Sequence, residues 1–382
     1  MKRKLYQYSL YLLAFSLCFP ENWSSKTLIF ASILGLFNVK SNRDALKTPF
    51  LVILVSLVTY VIFNIAFISQ ALDSRVISLI GLLILFFFLF NYTVIEEATY
   101  IKIPLVFSLG VFLVGILNFF PFLIKNSLSN LELLSNSWNT YAIIDIHKIY
   151  YALFLCLSYV FVINYVRLRL FRNRLLYNGL SFLFCVVMLY YTGSTNGFLL
   201  FIISHLFLMF TIFKPKIRYF FSLSVLILPI LLLFIMAIPR VQKVFSKIDG
   251  EGSRMRNYNI NKELFFEAPI FGYGLGNERD IMQEKRNPRS WEYKNNYNAH
   301  NQYFESLVGG GLVLLSILLS FIVVLIYKSI LVKFNLIELC FCAFTLYSFL
   351  IESILVRHHG IFFFSFFLIY LQFWVNKNKK EV

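Results

Sequence analysis

Apolar runs long enough to form membrane helices recur from one end of this 382-residue chain to the other. They begin near Leu5, Thr27, Phe50, Val76, Ile101, Ile149, Leu175, Gly197, Tyr219, Gln302, Phe334 and His359. A helix of about 20 apolar residues covers the roughly 30 Å of bilayer hydrocarbon. Within lipid, only helices and closed barrels satisfy their own backbone. The pattern predicts an all-α integral membrane protein with about twelve transmembrane helices. Composition agrees, with 59% of residues hydrophobic and 14% charged, against about 25% charged in a soluble domain.

The basic residues cluster in connections between the runs: Lys40/Arg43/Lys47, Arg167/Arg169/Arg172/Arg174, Lys214/Lys216/Arg218, Lys328/Lys333 and Lys377/Lys379/Lys380. With a cytoplasmic N-terminus, alternation puts every cluster on the cytoplasmic side, as positive-inside topology requires. That explains the net charge of +16 without a nucleic-acid partner. The five cysteines lie in or beside apolar runs, without zinc or disulfide spacing, and read as packing residues. Met1-Lys2-Arg3-Lys4 resembles the start of a signal peptide, but no cleavage site follows, so the first run reads as a helix that stays.

The expected organisation is therefore transmembrane helices over 1–239, an external loop subdomain over 240–300, and further helices with a short basic cytoplasmic tail over 301–382. In the insert, a helix starting at Ser253 and ending before Pro269 has Ile260, Leu264 and Phe265 as an apolar face.

The polar residues that suggest chemistry gather on the external side. His147, His300, His358 and His359 fall at external helix ends, whereas His205 lies in mid-membrane, as a proton relay or a histidine bonded to a neighbouring helix. Asn298-Ala299-His300-Asn301-Gln302-Tyr303 sets an imidazole, three amides and a phenol where a helix enters the membrane. Imidazole serves as general base near neutral pH, although Asn and His also cap helices. Arg254 and Arg256 open the loop helix, and guanidinium groups at a helix N-terminus suit a diphosphate. Glu352, Arg357 and His358 form a last external turn. Pro269 to Gly276 resembles a dinucleotide loop only superficially, since it follows no strand and opens no helix; its glycines read as tight turns. Trp291, Tyr293 and Tyr297 read equally as sugar-stacking residues or as a small loop core. Without a paired-carboxylate or His-Glu-x-x-His pattern, neither metal nor other cofactor is expected.

The order Gly252-Ser253-Arg254, Ala268 to Gly274, Asn298 to Tyr303 and Gly309 to Gly311 resembles the O-antigen ligase and polymerase superfamily of bacterial membrane glycosyltransferases. His147 to Tyr151 and Glu352 to Gly360 are similar to two further family segments. Lys148 stands where the first usually has proline, and Thr195 or Asn196 where many members carry arginine.

The resemblance implies GT-C-type glycosyltransferase architecture in the bacterial inner membrane, with both termini cytoplasmic and a periplasmic active site. It implies a glycan donor linked by diphosphate to undecaprenyl lipid. The acceptor would be the lipid A core in a ligase, or a second lipid-linked glycan in a polymerase. His300 and Arg254 become the catalytic expectation, with Arg254, Arg256 and Arg357 on the diphosphate. Asn298, Asn301, Tyr303, His147, Tyr151 and Glu352 would face acceptor or sugar, and the single displacement would invert the anomeric carbon. Two other classes remain open: a polysaccharide-lipid transporter, disfavoured by the scarcity of mid-membrane charge, and a non-catalytic scaffold.

Overall fold

The computed structural model describes residues 2–42, 46–69, 73–125, 137–168, 174–212, 253–332 and 334–377. The expected run at Tyr219 lies outside them, as does Gly252. The other expected runs are helical: α1 (Lys2–Ser16), α2 (Glu21–Leu36), α3 (Pro49–Asn64), α4 (Ser74–Asn91), α5 (Glu97–Lys125), α7 (Lys148–Leu168), α8 (Arg174–Thr192), α9 (Thr195–Ile212), α13 (Gln302–Tyr327), α14 (Leu336–Ile351) and α15 (His358–Lys377). Short helices α6 (Trp138–Tyr141), α10 (Ser253–Glu267), α11 (Glu278–Lys285) and α12 (Trp291–Lys294) fill connections.

Among the described residues five helical stretches are long and apolar enough to cross a membrane: Pro49–Ser69, Ser74–Asn91, Glu97–Lys125, Lys148–Val166 and Gln302–Val332. The described residues are thus helical throughout their regular structure, and their apolar helices point to a multi-pass membrane protein. Helix α1 has 15 residues and α2 has 16, which at 1.5 Å per residue rise only about 22 to 24 Å. Both are counted among the about twelve expected helices, and their sequence runs already read as short.

The chain divides into two compact units. The first comprises the described parts of Met1–Asn38, Val94–Ile248 and Asn335–Phe344. In it α1 packs on α2 and α5, and α7 packs on α5, α8 and α9. Phe107, Val111, Phe154, Leu155 and Phe161 form its buried interior. Asn118, wholly buried in α5, accepts the N–H groups of Ile143 at 3.0 Å and Ile144 at 2.8 Å, and donates to the Ile144 carbonyl at 3.1 Å. One amide thereby satisfies the non-helical backbone leading into α7.

The second unit comprises the described parts of Val39–Thr93, Asp249–Phe334 and Thr345–Val382. There α4 packs on α15, and α13 packs on α3 and α10. The described part of the expected loop subdomain, 253–300, belongs to this unit together with its flanking helices. Its helix α10 lies where the sequence placed it; Leu264, Met282, Ala299 and Val308 make a small core, with Ile260 packed against it.

Helix α13 is broken at Gly311, whose φ of +61° and ψ of −164° suit no residue with a side chain. The break opens backbone groups that the Pro269–Gly276 loop then occupies. Leu312 N–H donates to the Pro269 carbonyl at 2.9 Å, Tyr273 N–H to Val308 at 2.8 Å and Gly274 N–H to Gly309 at 3.0 Å. The Tyr60 hydroxyl adds a bond to the Gly310 carbonyl at 2.6 Å, and Asn64 accepts the Leu275 N–H at 2.9 Å. Irregular backbone within an apolar span is tolerated when protein groups pair it in this way. Gly309 to Gly311 thus receive the loop.

Candidate active site

His300 ends the loop just before α13, whose N-cap Asn301 accepts the Phe304 N–H at 3.2 Å. The His300 backbone is left-handed, with φ +50°, a conformation costly for a residue with a side chain. Asn298 holds it there by accepting the His300 N–H at 3.1 Å. The ring Nδ1 lies 3.2 and 3.3 Å from the two Glu352 carboxylate oxygens. Glu352 is buried, whereas the His300 side chain is one-quarter exposed. In the tautomer that donates from Nδ1 to Glu352, the other ring nitrogen carries a lone pair free to accept a proton.

The neighbouring site residues are fixed chiefly through backbone. Asn301 donates to the Leu350 carbonyl at 3.2 Å and Tyr303 to that of Leu346 at 2.9 Å, clamping α13 to the end of α14. The ring of Tyr297 stands edge-on to His300 at 4.8 Å and to Trp291 at 4.7 Å, while Trp291 itself is exposed. Buried Arg286 pins this loop, donating to the Tyr297 carbonyl at 2.7 Å and to Asn257 at 2.9 Å. Burial depresses its pKa from the ordinary guanidinium value.

The expected diphosphate residues differ from one another. Arg256 is paired with buried Glu292 at 2.7 Å. Burial works against ionisation of Glu292, but its own backbone N–H and the Arg256 contact outweigh it, and its pKa stays below the ordinary range. Arg254 and Arg357 are exposed, without an ion-pair partner among the described residues. Arg254 lies within electrostatic reach of Tyr347. In the first unit, His147 stands just before α7, and Tyr151 is fully buried, its ring stacked on Trp138 at 4.3 Å. The turn that lacks the family's arginine is closed by Ser194, which accepts the Gly197 N–H at 3.1 Å.

One cluster escaped sequence reasoning. Arg75, in the first turn of α4, contacts Asp73 at 2.9 Å, Glu278 at 3.2 Å and Glu305 at 3.7 Å. All three carboxylates are buried, and Glu278 fits only because Gly309 has no side chain. Burial, then the nearby Glu305 charge, raises the Glu278 pKa to about 7 against the opposing pull of Arg75. The adjoining cavity holds about 50 Å³, room for water but not for a sugar or a diphosphate. Through Glu278 and Glu305, Arg75 ties the start of α4 to α11 and α13. An arginine beside Asp73 at an expected external helix end was the available signal; its partners Glu278 and Glu305, more than 200 residues away, gave none.

A family model described as O-antigen ligase matches residues 180–319. Residues 180–319 are thus similar to the O-antigen ligase family. That stretch includes Arg254, Arg256, His300 and the loop docked at Gly311, whereas His147, Tyr151, Glu352 and Arg357 lie beyond it. The resemblance to the O-antigen ligase and polymerase superfamily is thus supported by an independent comparison. No curated protein matches the chain.

Proposed function

We propose that this chain is a glycosyltransferase of the O-antigen ligase type, moving a glycan from undecaprenyl diphosphate to a hydroxyl of the lipid A core at the periplasmic face of the inner membrane. The His300–Glu352 pair carries the reading, because a carboxylate that fixes Nδ1–H leaves the other nitrogen oriented as a base. In the reaction, His300 takes the acceptor hydroxyl proton as that oxygen attacks the anomeric carbon. The bond from that carbon to the diphosphate breaks, its electron pair leaves with the phosphate oxygen, and the configuration inverts. Arg254 and Arg357, whose charges are not spent on carboxylates, neutralise the leaving diphosphate. Arg256 reaches the diphosphate only by giving up Glu292. Asn298, Asn301 and Tyr303 set the loop that presents His300, and Trp291 and Tyr297 offer faces for sugar stacking. His147 and Tyr151 are assigned no step, since Tyr151 is enclosed in apolar packing.

The test is polysaccharide display in cells that lack the native gene, comparing wild type, His300→Ala and Arg254→Ala at equal membrane abundance. Loss of surface polymer with accumulation of long lipid-linked chains supports the ligase reading. Accumulation of single repeat units instead assigns the polymerase reaction. Wild-type display by both variants overturns the catalytic assignment.

A further inference from the structure

We infer that Glu305 is the positioning residue of the His300–Glu352 pair, acting through the residue before His300 and the residue after Glu352. The inference rests on the proposed role of His300. Glu305 lies in the first turn of α13, where a carboxylate is favoured by the helix dipole, and its side chain is 95% buried. One of its oxygens, Oε2, accepts two hydrogen bonds: from the Ala299 N–H at 3.0 Å and from the Ser353 hydroxyl at 3.0 Å. Ala299 directly precedes His300, and Ser353 directly follows Glu352. A single oxygen atom thus ties together the two chain segments that bring an imidazole and a carboxylate, 52 residues apart, within 3.3 Å.

The arrangement matches what the local backbone needs. His300 has a left-handed φ, and such a residue keeps its conformation only when its neighbours over-determine it. Asn298 restrains the His300 N–H from one side, and Glu305 restrains the preceding peptide from the other. On the far side, Ser353 is wholly buried, and the turn after it has a second tie, the Leu355 N–H donating to Gln302 at 2.7 Å. The remaining Glu305 oxygen faces Arg75 at 3.7 Å, so the ion cluster anchors the carboxylate while Oε2 performs the positioning. Because both ties fall on one oxygen, the amide carbonyl of glutamine is able to replace it, and alanine is not. Catalytic groups displaced by about 1 Å lose about two orders of magnitude in rate.

The experiment compares wild type, Glu305→Gln and Glu305→Ala, purified and reconstituted in vesicles with lipid-linked glycan and acceptor. In parallel, diethyl pyrocarbonate modification of His300 is followed by mass spectrometry in the same preparations. Glu305→Ala is expected to lower kcat about 30- to 100-fold with KM within about twofold, and to speed His300 modification severalfold as the ring leaves Glu352. Glu305→Gln is expected to recover most of that kcat and the wild-type modification rate. If Glu305→Ala does not fold, Ser353→Ala cuts one tie alone and is expected to move His300 reactivity in the same direction by less. Unchanged His300 reactivity in the folded alanine variants overturns the inference, as does equal loss of kcat in Glu305→Gln and Glu305→Ala. If wild type transfers no glycan, the catalytic reading falls, while His300 reactivity still decides whether Glu305 holds the pair.

Discussion

In the first unit, buried Asn118 spends its amide on the backbone before α7, and Trp138 and Tyr151 stack in an aromatic interior. Its Arg3–Glu96 ion pair is exposed, at 57% and 45%. In the second unit, Asp73, Glu278, Glu305, Glu292 and Glu352 are carboxylates buried against cations or histidine. Desolvating such charges is expensive, and apolar packing often stabilises as well or better. A unit that nonetheless buries them is using geometry that apolar packing does not provide. Two of them, Glu352 and Glu305, hold His300 and the residue before it, so the proposed chemistry belongs to the second unit, with the first as framework on that proposal.

Three substitutions sharpen or break that contrast. Phe154→Ala, in the first unit, empties a fully buried ring site beside Phe107. It is expected to cost about 3–5 kcal/mol of stability, read as a lower thermal midpoint in detergent, with transfer by the folded fraction retained. Arg254→Ala, in the second, is expected to leave that midpoint nearly unchanged and to lower kcat/KM by about a hundredfold, about 2.7 kcal/mol. Arg256→Ala is expected to show the reverse balance, because its guanidinium supports Glu292. Kinetics and thermal unfolding of the three proteins check all of this. If Phe154→Ala instead abolishes transfer without loss of stability, the division between framework and chemistry fails.

The smallest effect concerns pH. The folded-state pKa of Glu278, about 7, lies above its unfolded value, so the folded protein holds the extra proton between the two. The resulting stabilisation is complete below the unfolded carboxylate range and is lost as pH rises through about 7. Glu278→Gln is expected to flatten the decline in thermal midpoint between about pH 5 and 8. An unaltered decline would show that the cluster does not share a proton through Glu278.

How much of this was legible depended on the range of the interaction. Apolar runs and helix caps are local, so α10 before Pro269 and the helix entering after Asn301 could be read directly. Gly309 to Gly311 announced unusual backbone, but only the fold shows that the break receives the Pro269–Gly276 loop. The Arg75 cluster was not legible, because its carboxylates at 73, 278 and 305 meet only after α3, α4, α11 and α13 have packed. His300 and Glu352 were each singled out by position at expected external helix ends, but nothing in their spacing marks them as a pair. At Tyr151 sequence similarity supplies the residue type, whereas its burial against Trp138 follows only from packing.

The most direct measurement is glycan transfer in vesicles by purified wild type and by His300→Gln, which keeps a polar side chain but lacks a titrating base. Undecaprenyl-diphosphate-linked glycan is the donor and lipid A core the acceptor. The account predicts transfer by wild type and a loss of about 10²- to 10⁴-fold in the variant, with unchanged thermal stability. Transfer by His300→Gln at the wild-type rate would contradict it.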